Sequence, residues 1–182
     1  MTARRVLDPA DVVTTPTRTL LRVQAAALTE LIRRGVVRTR NAPAGDLAET
    51  LVARAYLGTL APPSEKSWDV EVPDGRRLQV KCRLVGPGAR RGQRGLSPFR
   101  SFEFDAAVIV LLDELTFDVD RAVEVPVPVI QGAARHVPWV NGFRVRASAE
   151  LLDHASVVDV TERLQAAVLG LDDFEVPGEA AC

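Results

Sequence analysis

The sequence predicts an α/β protein, with α+β as the alternative, in which helices flank one mixed central β-sheet. Polar and apolar residues alternate on both sides of a turn signal within residues 67–83, which is typical of a half-buried β-hairpin. A continuous apolar run follows Asp105 and predicts a central strand that is buried on both faces. The length of 182 residues suits one domain, which we place at residues 15–170. An irregular N-terminus (1–14) and an acidic C-terminal tail (171–182) flank it.

A first helix is predicted from about residue 16 to residue 34. Thr15 supplies an N-cap, Pro16 suits the first turn, and Gly35 ends a run of apolar residues at helical spacing. A cluster of arginines accompanies the end of this helix: Arg33, Arg34, Arg38 and Arg40. The cluster is either a solvated helix end that the helix dipole favours, or a strip that contacts phosphate.

A second helix is predicted from about residue 44 to residue 57, before Gly58. Glu49 in this helix has two interpretations. Asp46 followed by Glu49 three residues later matches a capping box, which would give Glu49 a structural role. Alternatively, Glu49 is an acidic residue directed at the polar face of the hairpin.

The hairpin is the most informative stretch of the sequence. Its two apolar rows, Trp68, Val70 and Val72 and then Leu78, Val80 and Cys82, face one core only if Val72 lies opposite Arg76. The loop then has three residues, 73–75, with Gly75 in the left-handed position. In this register Asp69 lies opposite Gln79 on the polar face, with Lys81 one diagonal away, at about 7–8 Å.

The rest of the chain is predicted as mixed strands and helices. A strand lies within residues 102–112, another at 116–125, and a short helix within 126–136. Residues 137–147 hold a strand or hairpin around Asn141-Gly142. Asp159 and Glu162 match a capping box that opens a last helix ending near Leu169.

Residues 86–100 form a loop rich in glycine, proline and arginine, without a single acidic residue. Its arginines are Arg90, Arg91, Arg94 and Arg100. In a chain of near-zero net charge, such a local excess of arginine is either a solubilising loop or a surface that binds nucleic-acid phosphates.

Composition narrows the class of protein. The 23 basic and 24 acidic residues give a net charge of −1, so any basic surface must be local. Cys82 and Cys182 show no pairing pattern, and no apolar stretch matches a signal peptide or a membrane span. We therefore expect a soluble cytoplasmic protein without a membrane partner, and a homodimer is left open. Trp68 and Trp139 are predicted as core residues rather than stacking platforms.

The polar face of the hairpin brings together a carboxylate, an amide and an ammonium: Asp69, Gln79 and Lys81. Phosphodiester cleavage needs an activated water, a neutralised phosphate and a stabilised leaving oxygen, which a divalent metal can supply. Mg²⁺, or Mn²⁺ in its place, requires only one or two carboxylates in addition to waters and substrate oxygens. The backbone carbonyl of Val80 could provide a further oxygen, and Lys81 could orient or deprotonate the attacking water.

Residues 44–112 resemble the core of the PD-(D/E)XK, or restriction-endonuclease-like, nuclease superfamily. There a helix contributes a Glu, the next strand an Asp, and the following strand a (D/E)-x-K triplet. Glu49, Asp69 and Lys81 match in order, spacing and predicted element. The resemblance implies a restriction-endonuclease-like core and metal-dependent endonuclease cleavage of DNA, in restriction, defence or repair. It implies catalytic roles for Glu49, Asp69, Gln79 and Lys81, and metal ligands from Glu49, Asp69, Gln79 and Val80.

Gln79 departs from the superfamily pattern, in which this position is acidic. A neutral amide offers an oxygen but no charge, so metal affinity should fall. One alternative is therefore a weakly active or inactive nuclease-like domain that binds nucleic acid or protein. A second is that Asp69, Gln79 and Lys81 form only the solvated face of an edge hairpin.

Overall fold

The computed structural model describes residues 9–38, 43–65, 67–86 and 94–171, without side-chain detail at residues 9–11, 17 and 18. The chain divides into two compact units between Pro43 and Ala44. The first predicted helix, which the sequence assigned to the main domain, therefore lies in the first unit, and the remaining elements lie in the second.

The first unit contains helices α1 (Pro9–Thr14) and α2 (Thr17–Arg33). The prediction of an irregular chain up to residue 14 is wrong for residues 9–14, whereas α2 matches its prediction to within one residue at each end. Pro16, rather than Thr15, occupies the N-cap, and its carbonyl accepts hydrogen bonds from the first turn of α2. Two arginines of the cluster pair with Glu30, at 2.6 and 2.8 Å, which favours the structural interpretation of the helix end.

The second unit is built on a six-stranded mixed sheet, which confirms the predicted fold class. Its strands are β1 (Thr59–Leu60), β2 (Val70–Glu71), β3 (Arg77–Val85), β4 (Ala106–Asp113), β5 (Val119–Pro126) and β8 (Val158–Asp159). They lie in the order β1-β2-β3-β4-β5-β8. Only β3 and β4 pair in parallel, and the other pairs are antiparallel. A separate two-stranded sheet pairs β6 (Arg135–Val137) with β7 (Gly142–Arg144).

Strands β2 and β3 form the hairpin in the predicted register. Val70 pairs with Leu78, and the N–H of Val72 donates to the carbonyl of Arg76. Gly75 has a φ of +86°, in the left-handed region that the three-residue loop requires. Trp68 departs from the prediction because β2 begins only at Val70, and its side chain packs against the opposite side of the sheet.

Two apolar clusters cover the two faces of the sheet. On one face, α3 (Pro43–Ala55) and α6 (Thr161–Leu169) pack against alternate residues of β3, β4 and β5, with Leu51, Val108 and Leu164 fully buried. On the other face, Phe99 and the helices α4 (Val127–Ala133) and α5 (Ala149–Leu152) cover the remaining strand residues. Strand β4 is buried on both faces, as its apolar run predicts.

Neither predicted capping box forms. Helix α3 begins at Pro43, so Asp46 lies inside its first turn instead of at the N-cap. Helix α6 begins at Thr161 after Val160, and Asp159 belongs to β8, from which its carboxylate accepts the N–H of Thr161. The downstream strands, the short helix α4 and the hairpin around Asn141 do occur, each shifted by a few residues.

None of the helices in the described ranges is long and apolar enough to cross a membrane.

Leu51 tests the packing of α3, the helix that carries Glu49. Leu51 is 0% exposed, so Leu51→Ala should lower the free energy of unfolding by about 2–5 kcal/mol through reduced burial and a residual cavity. Leu115→Ala is the control, because Leu115 is 80% exposed and its truncation should change stability by less than about 0.5 kcal/mol. Urea denaturation followed by circular dichroism measures both. Equal stability of the two variants would contradict the packing described for α3.

Candidate active site

The side chain of Asp69 is held at the edge of β3. The backbone of Asp69 is fixed on both sides, because its N–H donates to Leu78 and its carbonyl accepts from Ala61, at 2.9 and 2.8 Å. Its Oδ2 accepts two hydrogen bonds, one from Nε2 of Gln79 and one, at 2.7 Å, from the backbone N–H of Val80. These donors fix the orientation of the carboxylate.

The position of Asp69 follows from the unequal lengths of two neighbouring strands. Strand β2 pairs with β3 at only two residues, Val70 and Glu71, whereas β3 continues to Val85. The N–H of Val80 therefore has no strand partner on that edge, and the Asp69 carboxylate takes that place. Because the N–H and C=O of one strand residue point to the same side, the Val80 carbonyl is directed to this edge as well.

Gln79 lies opposite Asp69, as predicted, and is only 5% exposed. Its side-chain amide donates to Asp69, so the amide nitrogen is committed to the carboxylate. A buried amide requires such a partner. The arrangement therefore gives Gln79 a structural role that an acidic residue could fill only if it were protonated.

Lys81 is half-buried on the same face of β3 as Gln79, and its ammonium lies 4.9 Å from the centre of the buried Phe99 ring. Burial lowers the pKa of Lys81, while the charges of Asp69 and Glu49 oppose this shift. The Arg100 guanidinium lowers the pKa further. The ammonium is thus partly removed from water, lies over an aromatic ring and is attracted by the charges of two carboxylates.

Glu49 is half-buried within α3, and Asp46 lies inside the first turn of that helix, so the predicted capping box does not describe the position of Glu49. Its carboxylate acts on the same ammonium as that of Asp69. The structure therefore brings Glu49, Asp69, Gln79 and Lys81 into one neighbourhood. The distance between the two carboxylates, expected to be within about 10 Å, stays a prediction.

The predicted arginine loop is described only at its end. Arg90 and Arg91 lie outside the described residues, whereas Arg94 and Arg100 lie within them. Arg100 donates to the backbone carbonyls of Val140 and Asn141, so it ties the loop to the turn between β6 and β7. This contact assigns Arg100 a structural function in addition to its charge near Lys81.

Several residues near the site were not predicted from the sequence. The ring of Phe99 lies beneath the Lys81 ammonium. Nothing in the sequence around Phe99 distinguishes this residue from other core residues. Arg83 follows Lys81 on the same face of β3 and borders a large groove, which Arg144 and Arg146 also line. The alternation of Arg144 and Arg146 with Phe143 and Val145 was the one signal available in the sequence.

The donor atoms at this edge fit a hard cation better than zinc. Among the residues that the structure describes, no group of three His, Cys, Asp or Glu side chains could hold a metal ion. Two carboxylates, from Asp69 and Glu49, with the carbonyl oxygens of Val80 and Gln79 as additional donors, suit Mg²⁺ or Mn²⁺. These ligands carry only two negative charges, so the affinity for the metal ion should depend on additional oxygens from a substrate.

Comparisons with known proteins give no family assignment. No protein-family model matches the sequence, and a search of curated proteins finds no significant match.

Gln79→Glu tests whether this edge binds metal. Without divalent cations the variant should be less stable by about 1–3 kcal/mol, because Asp69 loses a donor and faces a second carboxylate. Mn²⁺ should restore the unfolding temperature and bind more tightly to the variant than to the wild type, because a ligand charge has been added. Thermal unfolding in a Mn²⁺ titration and calorimetry measure both effects.

The matched control is Gln165→Glu, because Gln165 also donates from its amide, to the carbonyl of Val119 at 3.0 Å. This variant should lose stability without recovering it in Mn²⁺. Equal and negligible Mn²⁺ binding by the wild type and Gln79→Glu would exclude a metal site at Asp69.

Proposed function

We propose that this protein hydrolyses phosphodiester bonds in nucleic acid, and in DNA first of all, as a Mg²⁺-dependent endonuclease of the PD-(D/E)XK type. The observation that carries the proposal is the half-buried Lys81 ammonium, which lies 4.9 Å from the centre of the Phe99 ring and is attracted by the charges of Asp69 and Glu49. The basic residue at this position is a lysine, although 21 of the 23 basic residues of the chain are arginines and only Lys66 and Lys81 are lysines. A restriction, defence or repair role would use this chemistry.

Each residue has a definite part in the proposed reaction. A divalent cation, when bound, would supply Lewis-acid activation of the phosphate and of water. Asp69 and Glu49 would hold that cation with the carbonyl of Val80, and the hydrogen bonds to Asp69 would keep one carboxylate in position. Lys81 would stabilise charge on the attacked phosphate while protonated, and its lowered pKa increases the fraction of neutral amine that could accept a proton from water.

The order of elements supports the restriction-endonuclease-like assignment. Helix α3 with Glu49, the hairpin of β2 and β3, and the buried strand β4 follow one another as the resemblance implies. The parallel pairing of β3 with β4 places Lys81 in the interior of the sheet, beside Ile109. A flat and fully solvated hairpin face, the second alternative, does not agree with a buried Gln79 and a half-buried Lys81.

A second candidate function is binding without cleavage. It is favoured by one observation, the hydrogen bond from the Gln79 amide to Asp69, which satisfies the carboxylate without a cation. In that case the same residues would stabilise the edge of β3, and a basic surface beside them would bind the nucleic acid.

Lys81→Ala separates the two candidates. In the endonuclease the variant should lose cleavage by at least about 100-fold, the range for removal of a positioned proton-transfer group, while binding to DNA changes little. The assay uses plasmid, linear and branched DNA with Mg²⁺ or Mn²⁺, with nicking and linearisation followed on gels. Binding is measured separately by anisotropy in EDTA.

The control is Lys66→Ala, which removes the other lysine of the chain. It should cleave like the wild type. Cleavage that persists undiminished in Lys81→Ala would exclude the assigned role of Lys81. Binding without cleavage by the wild type on every substrate would favour the second candidate.

A further inference from the structure

A groove of about 1590 Å³ lies beside the candidate active site, on the Lys81 face of the sheet. Five arginines line it: Arg83, Arg94, Arg135, Arg144 and Arg146. Glu150 is the one acidic residue among its described lining residues. A small-molecule site typically measures about 300–1,000 Å³, so the size and charge of this groove fit an extended polyanion better.

The arginines are arranged with like charges facing each other. Arg135 and Arg144 are direct cross-strand partners in the β6–β7 sheet, and such a pair of like charges destabilises a sheet in the absence of a counter-charge. Arg146 bridges to Gly95, which brings it next to Arg94. Within the described part of the chain, none of Arg94, Arg135, Arg144 and Arg146 forms an ion pair. Anionic groups from a ligand would relieve this repulsion.

An exposed tryptophan lies in the same groove. Trp139, predicted as a core residue, is 81% exposed in a 3-10 turn (Pro138–Val140), because Val137 and Gly142 on either side of the turn take the buried positions. Among the large hydrophobic residues exposed in the described ranges, Trp139 is the one aromatic residue. Its turn is fixed by the left-handed Asn141 and by the hydrogen bonds from Arg100. The ring is therefore presented to solvent on a defined turn.

Arginines with an open aromatic ring are the combination that binds single-stranded nucleic acid. The arginines contact the backbone phosphates, and a base stacks on the aromatic ring. In a duplex the bases are already stacked on one another and hidden from such a ring, so the duplex could use only the arginines. Arg144 and Arg146, two residues apart along the chain, are spaced by about 6.6 Å, and can contact separate phosphates.

We propose that this groove binds a single-stranded or locally unpaired nucleic acid, with Trp139 as the stacking platform and Arg135, Arg144 and Arg146 as phosphate contacts. Lys81 and Arg83 project from the same face of β3, so the bound strand would pass the candidate active site. The claim that single strands are the substrate of the nuclease rests on the proposed function. The claim that the groove binds single strands does not depend on catalysis.

The experiment measures binding in EDTA, so that neither metal binding nor cleavage affects the result. Trp68→Phe leaves Trp139 as the sole tryptophan of the chain, which has two. A dT12 strand should quench the fluorescence of Trp139, whereas inorganic polyphosphate of matched charge should bind without comparable quenching. An rU12 strand, tested in parallel, distinguishes RNA from DNA as the source of the single strand.

Substitutions then separate stacking from charge. Trp139→Ala should weaken dT12 binding by about 10- to 100-fold, and Trp139→Phe by much less, because stacking is removed in the first and retained in the second. The affinity for a 12-base-pair duplex should be weaker at the outset and unchanged by either substitution. A duplex that binds as tightly as dT12, or dT12 binding that is unchanged in Trp139→Ala, would overturn the proposal.

Arg135→Gln with Arg144→Gln should lower the salt dependence of dT12 binding, by a slope of about 0.7 for each phosphate that an arginine no longer neutralises. The unfolding temperature should be no lower than that of the wild type, because the repulsion between the opposed arginines is removed. Arg54→Gln with Arg163→Gln is the control for net charge, since neither residue lines the groove, and the salt dependence should stay unchanged. An equal reduction in both double variants would assign the effect to net charge rather than to the groove, and would overturn the proposal.

Discussion

The site depends on a mismatch in length between β2 and β3. A two-residue strand cannot satisfy the edge of a nine-residue strand, and an unpaired backbone N–H in a partly buried place is costly. The Asp69 carboxylate satisfies the first such donor, that of Val80, and thereby becomes fixed at the edge. Because β2 does not extend alongside Val80, the carbonyl of Val80 is also directed to this edge without a strand partner. The carboxylate that satisfies the Val80 N–H is therefore the same group that could bind a cation. A role for Asp69 in folding does not argue against a role in catalysis.

The charges around Lys81 offer a physical account of the unusual Gln79. The charges that act on the Lys81 ammonium are those of two carboxylates, Asp69 and Glu49, and one further cation, Arg100, so these four groups sum to zero charge without a metal ion. An acid in place of Gln79 would add an uncompensated buried charge, which a metal would have to neutralise. The amide instead donates to Asp69 and is satisfied itself. A site of this kind can remain folded without metal, and would take up a cation mainly when the phosphates of a substrate bring additional oxygens and negative charge.

Local signals predicted the hairpin and its polar face correctly, because a period of two and a three-residue turn define register on their own. The Asp69–Gln79 pair and the buried β4 follow from that register and from an apolar run. Predictions failed where distant parts of the chain decide the outcome. Trp139 is exposed because the turn that carries it is positioned by contacts with residues near Phe99, about forty positions away. The arginine groove likewise requires strands distant in sequence to meet, and composition gives only its charge.

Phe99 joins the groove to the candidate active site. Its backbone exchanges two hydrogen bonds with Phe143 of β7, each 2.8 Å long, while its ring lies beside the Lys81 ammonium. Phe99 is 0% exposed, so a packed core residue, rather than a solvated loop, connects β7 at the groove with Lys81. Binding along the arginines could then contribute to positioning a phosphate at Lys81, because remote contacts are useful to catalysis only when the geometry between them is fixed. If Lys81 has no catalytic role, the same rigidity still presents a preorganised surface to a nucleic acid. The two candidate functions therefore share the groove and differ only in the chemistry at the edge of β3.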